Sequence, residues 1–116
     1  MLTMLAMAQP LGEFEQLVLL AVLRAGDVAY GTRILEEVQA AGVRRASRGA
    51  VYVTLARLEE KGLLRARAPE AGGERGGRPR RYLRVTAEGL RALRSSRATL
   101  LRLWTGLEGL LGEAER

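Results

Sequence analysis

The sequence predicts a mainly α fold with a small β-hairpin: three helices, two short strands around a glycine-rich tip, and a long last helix. Three observations predict it. Apolar residues recur at three- and four-residue spacing before residue 62 and after residue 86, which is the mark of helices with one buried face. Between them lie two short alternating runs, LLRARA and RRYLRV, flanking PEAGGERGGRP, in which four of eleven residues are glycine. A chain of 116 residues with a hydrophobic fraction of 47% fits one ordinary domain with a modest core.

The first helix is expected from about Leu11 to Ala25. Phe14, Leu17, Val18 and Ala21 fall on one face, and Leu20, Val22 and Leu23 extend the apolar surface almost all round, so this helix is expected to be central and buried. Gly26 and Asp27 end it. The second helix starts near Tyr30 and Gly31 and runs to about Ala41, with Ile34, Leu35 and Val38 inward and Glu36 and Glu37 outward; Gly42 stops it. Ser47 is a good N-cap for a third helix from Arg48 to Lys61. Val51, Leu55 and Leu58 form its inward stripe, which leaves Arg48, Gly49, Tyr52, Val53 and Arg57 on other faces. Gly62 closes it. Strands are expected over Leu63–Ala68 and Arg80–Val85, joined by the loop Pro69–Pro79. Thr86 caps the last helix, Glu88 suits its first turn, and the helix can run to about Leu111. Residues 1–10 read as a tail or a short helix, 11–85 as one domain, and 86–116 as a C-terminal helix.

The formal net charge is +6, and it is segregated. Residues 44–85 carry twelve basic and four acidic side chains, while residues 1–43 have a net charge of −3 and residues 86–116 of +1. A polyanionic partner accounts for such segregation better than a uniformly solvated surface does. All but one of the 19 basic residues are arginine, the exception being Lys61; arginine forks onto phosphates and guanine edges, although a GC-rich coding sequence would also favour it. The chain has no cysteine and no histidine, which removes thiolate and imidazole catalysis, Cys/His metal sites and disulfides. No metal or cofactor is expected. Asp27 is the sole aspartate, and the Glu36/Glu37 and Glu59/Glu60 pairs read as solvated helix surface, so an enzyme is not expected. No apolar run is long enough to span a membrane, Met1–Ala8 lacks the basic start of a signal peptide, and a cytoplasmic location is expected.

Two short helices, a capped third helix and a basic hairpin, in that order, make a winged helix-turn-helix, the arrangement that sets a helix in the major groove of double-stranded DNA. Arg75, Arg78, Arg80 and Arg81 would bring counter-charge to phosphates from the wing. Adjacent strand residues face opposite ways, so at most one of Arg80 and Arg81 faces the duplex directly; Arg80, on the side of Tyr82 and Arg84, is the favoured one. Ser47, Arg48 and Gly49 open the third helix, and Tyr52, Thr54 and Arg57 are further candidates along it. Each has a plainer reading beside it. Ser47 serves as a cap, Tyr52 packs in the core, Arg57 pairs with Glu60 on the surface, Arg80 and Arg81 are solvated strand residues, and Tyr30 is either a phosphate contact or a partly buried tyrosine beside a turn.

The stretches LGEFEQLVLLAVL (Leu11–Leu23), AYG (Ala29–Gly31), SRGAVYVTLARLEEKGLL (Ser47–Leu64) and GGRPRRYLRVTAEG (Gly76–Gly89) together resemble the PadR family of bacterial transcriptional regulators, in its compact form with a single C-terminal dimerisation helix. The combination in this order is specific. The resemblance implies a homodimeric repressor and makes Tyr52 the match to a DNA-contacting tyrosine. Leu90, Leu93, Arg97, Leu100, Trp104, Leu107 and Leu111 follow a three-four spacing on the last helix and are expected to form the dimer seam, which would match a two-fold symmetric operator; the plainer reading is a helix folded back on its own domain. Gly106, Gly109 and Gly112 predict fraying at its end. Some members hold flat aromatic effectors between paired tryptophans, which makes Trp104, the only tryptophan, either an effector-stacking residue or a buried interface anchor. A competing reading is a winged-helix module that binds protein instead of DNA; the segregated charge speaks against it.

Overall fold

The computed structural model describes residues 11–67 and 81–114. The order is α1 (Glu13–Ala25), a 3-10 turn (Gly26–Val28), α2 (Gly31–Ala40), α3 (Arg48–Glu60), β1 (Leu64–Arg67), β2 (Tyr82–Val85), α4 (Ala87–Trp104) and α5 (Glu108–Ala114). It is a mainly helical fold with one antiparallel hairpin, as the residue pattern predicts. The predicted tail over residues 1–10 and the loop joining the strands lie outside the described residues.

The core is built from one stripe of each of α1, α2 and α3, closed at the base by the hairpin. Val18, Leu19 and Val22 of α1, Ile34 and Val38 of α2, Val51 and Leu58 of α3, and Leu64 and Leu83 of the strands are buried together. The expectation that α1 is covered all round is corrected: Leu20 and Leu23 lie on the side away from this cluster and are 47% and 45% exposed. The hairpin is not alone either. Leu83 N–H donates to Ala29 O at 2.9 Å, and Tyr30 bridges to Tyr82, so the residues before α2 serve as a minimal third strand.

An acidic residue inside this assembly was not anticipated. Glu15, at the third position of α1, accepts from the Gly12 N–H at 2.9 Å, as a helix-start glutamate should, and is nevertheless buried. Its second oxygen accepts from Lys61 Nζ at 2.6 Å, joining the start of α1 to the end of α3. Burial pushes this carboxyl up, but the Lys61 ammonium, the Gly12 N–H and the field of Lys61 and Arg57 outweigh it, holding the group below its ordinary 4.5. A lowered native pKa means that the unfolded chain binds more protons in acid. The contribution is therefore complete above the unfolded value and is lost as pH falls through the native one. Lys61→Met should lower stability at neutral pH by about 1 kcal/mol, since Lys61 itself is half-exposed. It should also flatten the acid limb of stability below the ordinary glutamate value. Urea titrations from neutral pH down to pH 3 would check both; an unchanged acid limb would remove the pair's role.

α4 begins against the hairpin base. Thr86 Oγ1 accepts from Gly89 N–H at 3.0 Å and donates to Gly62 O at 2.7 Å, while its own N–H reaches Leu63 O at 3.0 Å. The lower half of α4 packs on the domain: Leu93 sits half-buried against the core, and buried Ser96 Oγ faces the Leu11 N–H at 3.4 Å. Two corrections follow. Leu93, expected in an intersubunit seam, packs within its own chain. The last helix does not run to Leu111 but stops at Trp104. There Thr105 turns to φ −54°, ψ 122° and Gly106 takes φ 85°, a left-handed conformation that suits a residue without Cβ. The seven-residue α5 that follows is a separate helix, so Leu107 and Leu111 do not continue the α4 register.

Candidate nucleic-acid interface

α3 is placed by its two ends. Ser47 is extended, and its Oγ accepts from the Ala50 N–H at 3.0 Å, so it caps the helix. The preceding turn is held by Gln39, whose side-chain amide donates to Ala46 O at 3.1 Å, and by Gly42 at φ 114°. At the other end Gly62, at φ 78°, releases the chain into β1. Between these ends Val51, Thr54, Leu55 and Leu58 are buried, while Arg48, Gly49, Tyr52, Val53 and Arg57 are exposed. Thr54, read as a candidate contact, is corrected: at 5% exposure it belongs to the inward stripe, between the turns that carry Val51 and Leu58.

The exposed start of α3 is more basic than the residues singled out in the sequence. Arg44 and Arg45 lie exposed in the turn before it, beside Arg48 and Gly49. The hairpin adds a second basic strip. Its register sets Arg65 opposite Arg84 and Arg67 opposite Tyr82 on one face, with Leu64, Leu83 and Val85 on the other. Two exposed arginines directly across a strand pair repel each other, a local cost that an external anion would relieve. Arg67 lies over the Tyr82 ring at 4.9 Å and donates to Asp27 O; Tyr82 in turn meets Tyr30 edge to face at 5.7 Å. Sequence reading missed Arg44, Arg45 and Arg65. The alternation of LLRARA against RRYLRV held enough information to pair Arg65 with Arg84 once the register was known.

Arg81 takes a different place from that expected of a wing arginine. It stands on the Leu83 side and forks onto Glu59 of α3 at 2.5 and 2.6 Å. The hydrogen bonds to Glu59 hold its guanidinium protonated even more firmly than usual. Its charge is matched within the chain, and it clips the hairpin to the last turn of α3. Arg75, Arg78 and Arg80 lie outside the described residues. Tyr30, the extended residue before α2, is half-buried.

Tyr52 owes its position to Gly31. The ring lies over the start of α2 so closely that a Cβ on residue 31 would stand 2.3 Å from Cε1 and 2.6 Å from the hydroxyl. Tyr52 is 44% exposed and can swing outward, so Gly31→Ala should displace the ring at a cost below about 1 kcal/mol. Duplex affinity is expected to fall about tenfold, the loss of one positioned contact, while the melting temperature barely moves. Paired calorimetric and duplex titrations of the variant would decide this. Equal affinity would show that the resting place of the ring over α2 plays no part in binding.

Among the described residues no helix is long and apolar enough to cross a membrane, and no group of three carboxylate, histidine or cysteine side chains could hold a metal ion. A capped helix with a basic outer surface, seated on a three-helix core beside an arginine-bearing hairpin, defines the winged helix-turn-helix class of regulators. The chain matches the transcriptional regulator PadR-like family over residues 19–95 and belongs to that family, whose members regulate transcription and are not enzymes. Solved structures agree in fold. A PadR-like transcriptional regulator from Bacillus cereus is 21% identical, with a TM-score of 0.68 over 84% of this chain and 90% of that one. A PadR-like transcription factor from Bacteroides fragilis is 24% identical, with a TM-score of 0.64 over 84% and 88%. A PadR family transcriptional regulator from Eggerthella lenta is 30% identical, with a TM-score of 0.57 over 83% and 84%. No curated protein matches the chain.

Proposed function

We propose that this chain is a homodimeric repressor that binds an inverted-repeat operator, reading base edges with α3 and holding phosphates with the hairpin. The observation that carries the reading is the sidedness of α3, with its apolar stripe spent on the core and Arg48, Gly49, Tyr52 and Arg57 left outside around a capped, basic start. Ser47 positions this end. Arg48 and Tyr52 are the base-reading and backbone-contacting residues, Arg44, Arg45, Arg65 and Arg84 add phosphate contacts, and Arg75, Arg78 and Arg80 extend them from the wing. Tyr30 contacts the backbone from the start of α2. The second copy covers the exposed apolar end of α4. Trp104, 41% exposed and lining a small apolar hollow of about 190 Å³ with Leu100, Leu103 and Leu107, is where a small aromatic effector would stack.

Selection of bound duplexes from a random pool tests the whole reading. The recovered sequences should contain two inverted half-sites centred about one helical turn apart, roughly 34 Å, or a multiple of it. Arg48→Ala should weaken binding to the recovered site by about 10- to 100-fold with an unchanged fold. A pool that returns no preferred sequence, or an Arg48→Ala variant of undiminished affinity, would remove α3 as the reading helix.

A further inference from the structure

A cleft of about 660 Å³ opens between the start of α2, one flank of α3 and β2. That volume falls within the range of small-molecule sites, about 300–1,000 Å³. Its floor and walls are apolar or aromatic: Tyr30, Tyr52, Leu55, Ala56 and Leu83. Its charged groups are Glu36, Glu59 and Arg81.

These charges discriminate between occupants. The outer fork of Arg81 is engaged by both oxygens of Glu59, so the charge of its guanidinium is matched within the chain. Glu36 is different. Its side chain is 59% exposed, and its ion pair with Arg33, from the same helix, is loose at 3.7 Å. A phosphate inside the cleft would face two carboxylates, one of them already paired with Arg81, so the phosphates assigned to Tyr30 and Tyr52 belong at its rim and not within it. An organic cation meets the opposite situation: a carboxylate at the edge to take an ammonium, two tyrosine rings for the adjoining charge and hydrocarbon, and an apolar floor for the rest.

We propose that this cleft binds an organic ammonium ion with an apolar, ring-sized body, and that an occupied cleft weakens DNA binding. The second half rests on the reading of α3 as the DNA-contacting helix. Tyr52 is one residue on from buried Val51, about 100° around the helix, and Ala56 follows it by one turn. Tyr52 thus stands at the border between the cleft and the outer surface of α3. Arg81 clips the hairpin to that same helix. An occupant pressing on Tyr52 and Arg81 changes the position of the contacting ring and of the wing together.

Calorimetric titration of the full chain, without DNA, tests the site with three probes of one shape and different charge: 2-phenylethylammonium, 2-phenylethanol and 3-phenylpropionate. The ammonium should bind at least tenfold more tightly than the other two. Glu36→Gln should reduce that preference to about threefold or less. Ala56→Phe, which fills the cleft from an exposed position, should abolish binding while its thermal unfolding stays cooperative. Trp104→Ala should leave binding intact, which separates this cleft from the hollow on α4. Equal affinity for the three probes would overturn the proposal, as would binding that survives Ala56→Phe and disappears with Trp104→Ala. Duplex titration with and without saturating 2-phenylethylammonium tests the coupling. At least a tenfold loss of affinity is expected, and undiminished affinity overturns it. A chain that binds the ammonium but no duplex would sink the regulator reading and leave the cleft standing; a chain that binds duplex but none of the probes would do the reverse.

Discussion

Gly89→Ala is expected to destabilise the protein by about 3 kcal/mol and lower its melting temperature by roughly 10–20 °C. In an exposed helix the same substitution would stabilise by about 1 kcal/mol, because alanine loses less backbone freedom. Here the added Cβ would stand 2.4 Å from Leu63 O and 2.7 Å from Val85 Cγ1. The first of these is backbone, and Leu63 O already accepts the Thr86 N–H, so it cannot yield without loosening the joint between α4 and the hairpin. Relief therefore requires α4 to lift from the hairpin base, which also strains the Thr86 cap and the packing of Leu93. Gly109→Ala supplies the contrast: nothing lies within 4 Å of the Cβ it would add, and a gain of about 0.5–1 kcal/mol in α5 is expected. Thermal and urea unfolding of the two variants should move in opposite directions. A Gly89→Ala protein as stable as the parent would mean that α4 is not seated on the hairpin in the manner described.

The contrast between these two glycines also shows which parts of the molecule could be read from the residues. Stripes are local. The spacing of Val51, Leu55 and Leu58 fixes which face of α3 turns inward, and with it which residues stay outside, so the outer surface of α3 is legible from spacing, and the caps Ser47 and Thr86 from residue type. Thr54 follows Val51 by three residues and so falls on that same stripe, which its polar side chain conceals. What could not be read depends on partners far apart in the chain. Glu15 and Lys61 are 46 residues apart, Arg81 and Glu59 are 22 apart, and the bridge between Tyr30 and Tyr82 spans still more. Nothing in the pattern near Glu15 distinguishes it from an ordinary helix-start glutamate; its burial follows from the end of α3 arriving beside it. The end of α4 is an intermediate case. Three glycines in seven residues announced a weak helix, but which of them would turn left-handed is decided by Thr105 leaving the helix and not by the count of glycines.

In the proposed dimer, a single charge placed on the upper half of α4 is expected to separate the two copies. Leu93, Ser96, Leu100 and Leu103 follow one another at three- and four-residue spacing and so lie on one stripe. The first two are covered by their own domain; the next two, with Trp104, project past its edge, exposed by 41% to 69%. One apolar stripe thus meets its own domain below and solvent above, and a second copy covering the upper part is the reading that leaves no large apolar patch in water. Trp104→Glu, or Leu100→Glu where an effector role of the tryptophan is to be kept apart, should raise the dimer dissociation constant at least 100-fold, about 3 kcal/mol. Each monomer should keep its core, because Leu93 and everything below it is untouched, and melting should remain cooperative. The larger consequence falls on DNA. In the proposed dimer the second α3 reaches the second half-site at a high effective concentration, and losing that linkage should reduce affinity for the proposed inverted-repeat operator by about 10² to 10⁴-fold. Affinity for an isolated half-site should hardly change. Sedimentation velocity at micromolar protein, alongside titrations of whole and half operators, separates these effects. A charged variant that still sediments as a dimer, or that loses half-site and whole-site affinity equally, would place the subunit contact elsewhere on the molecule.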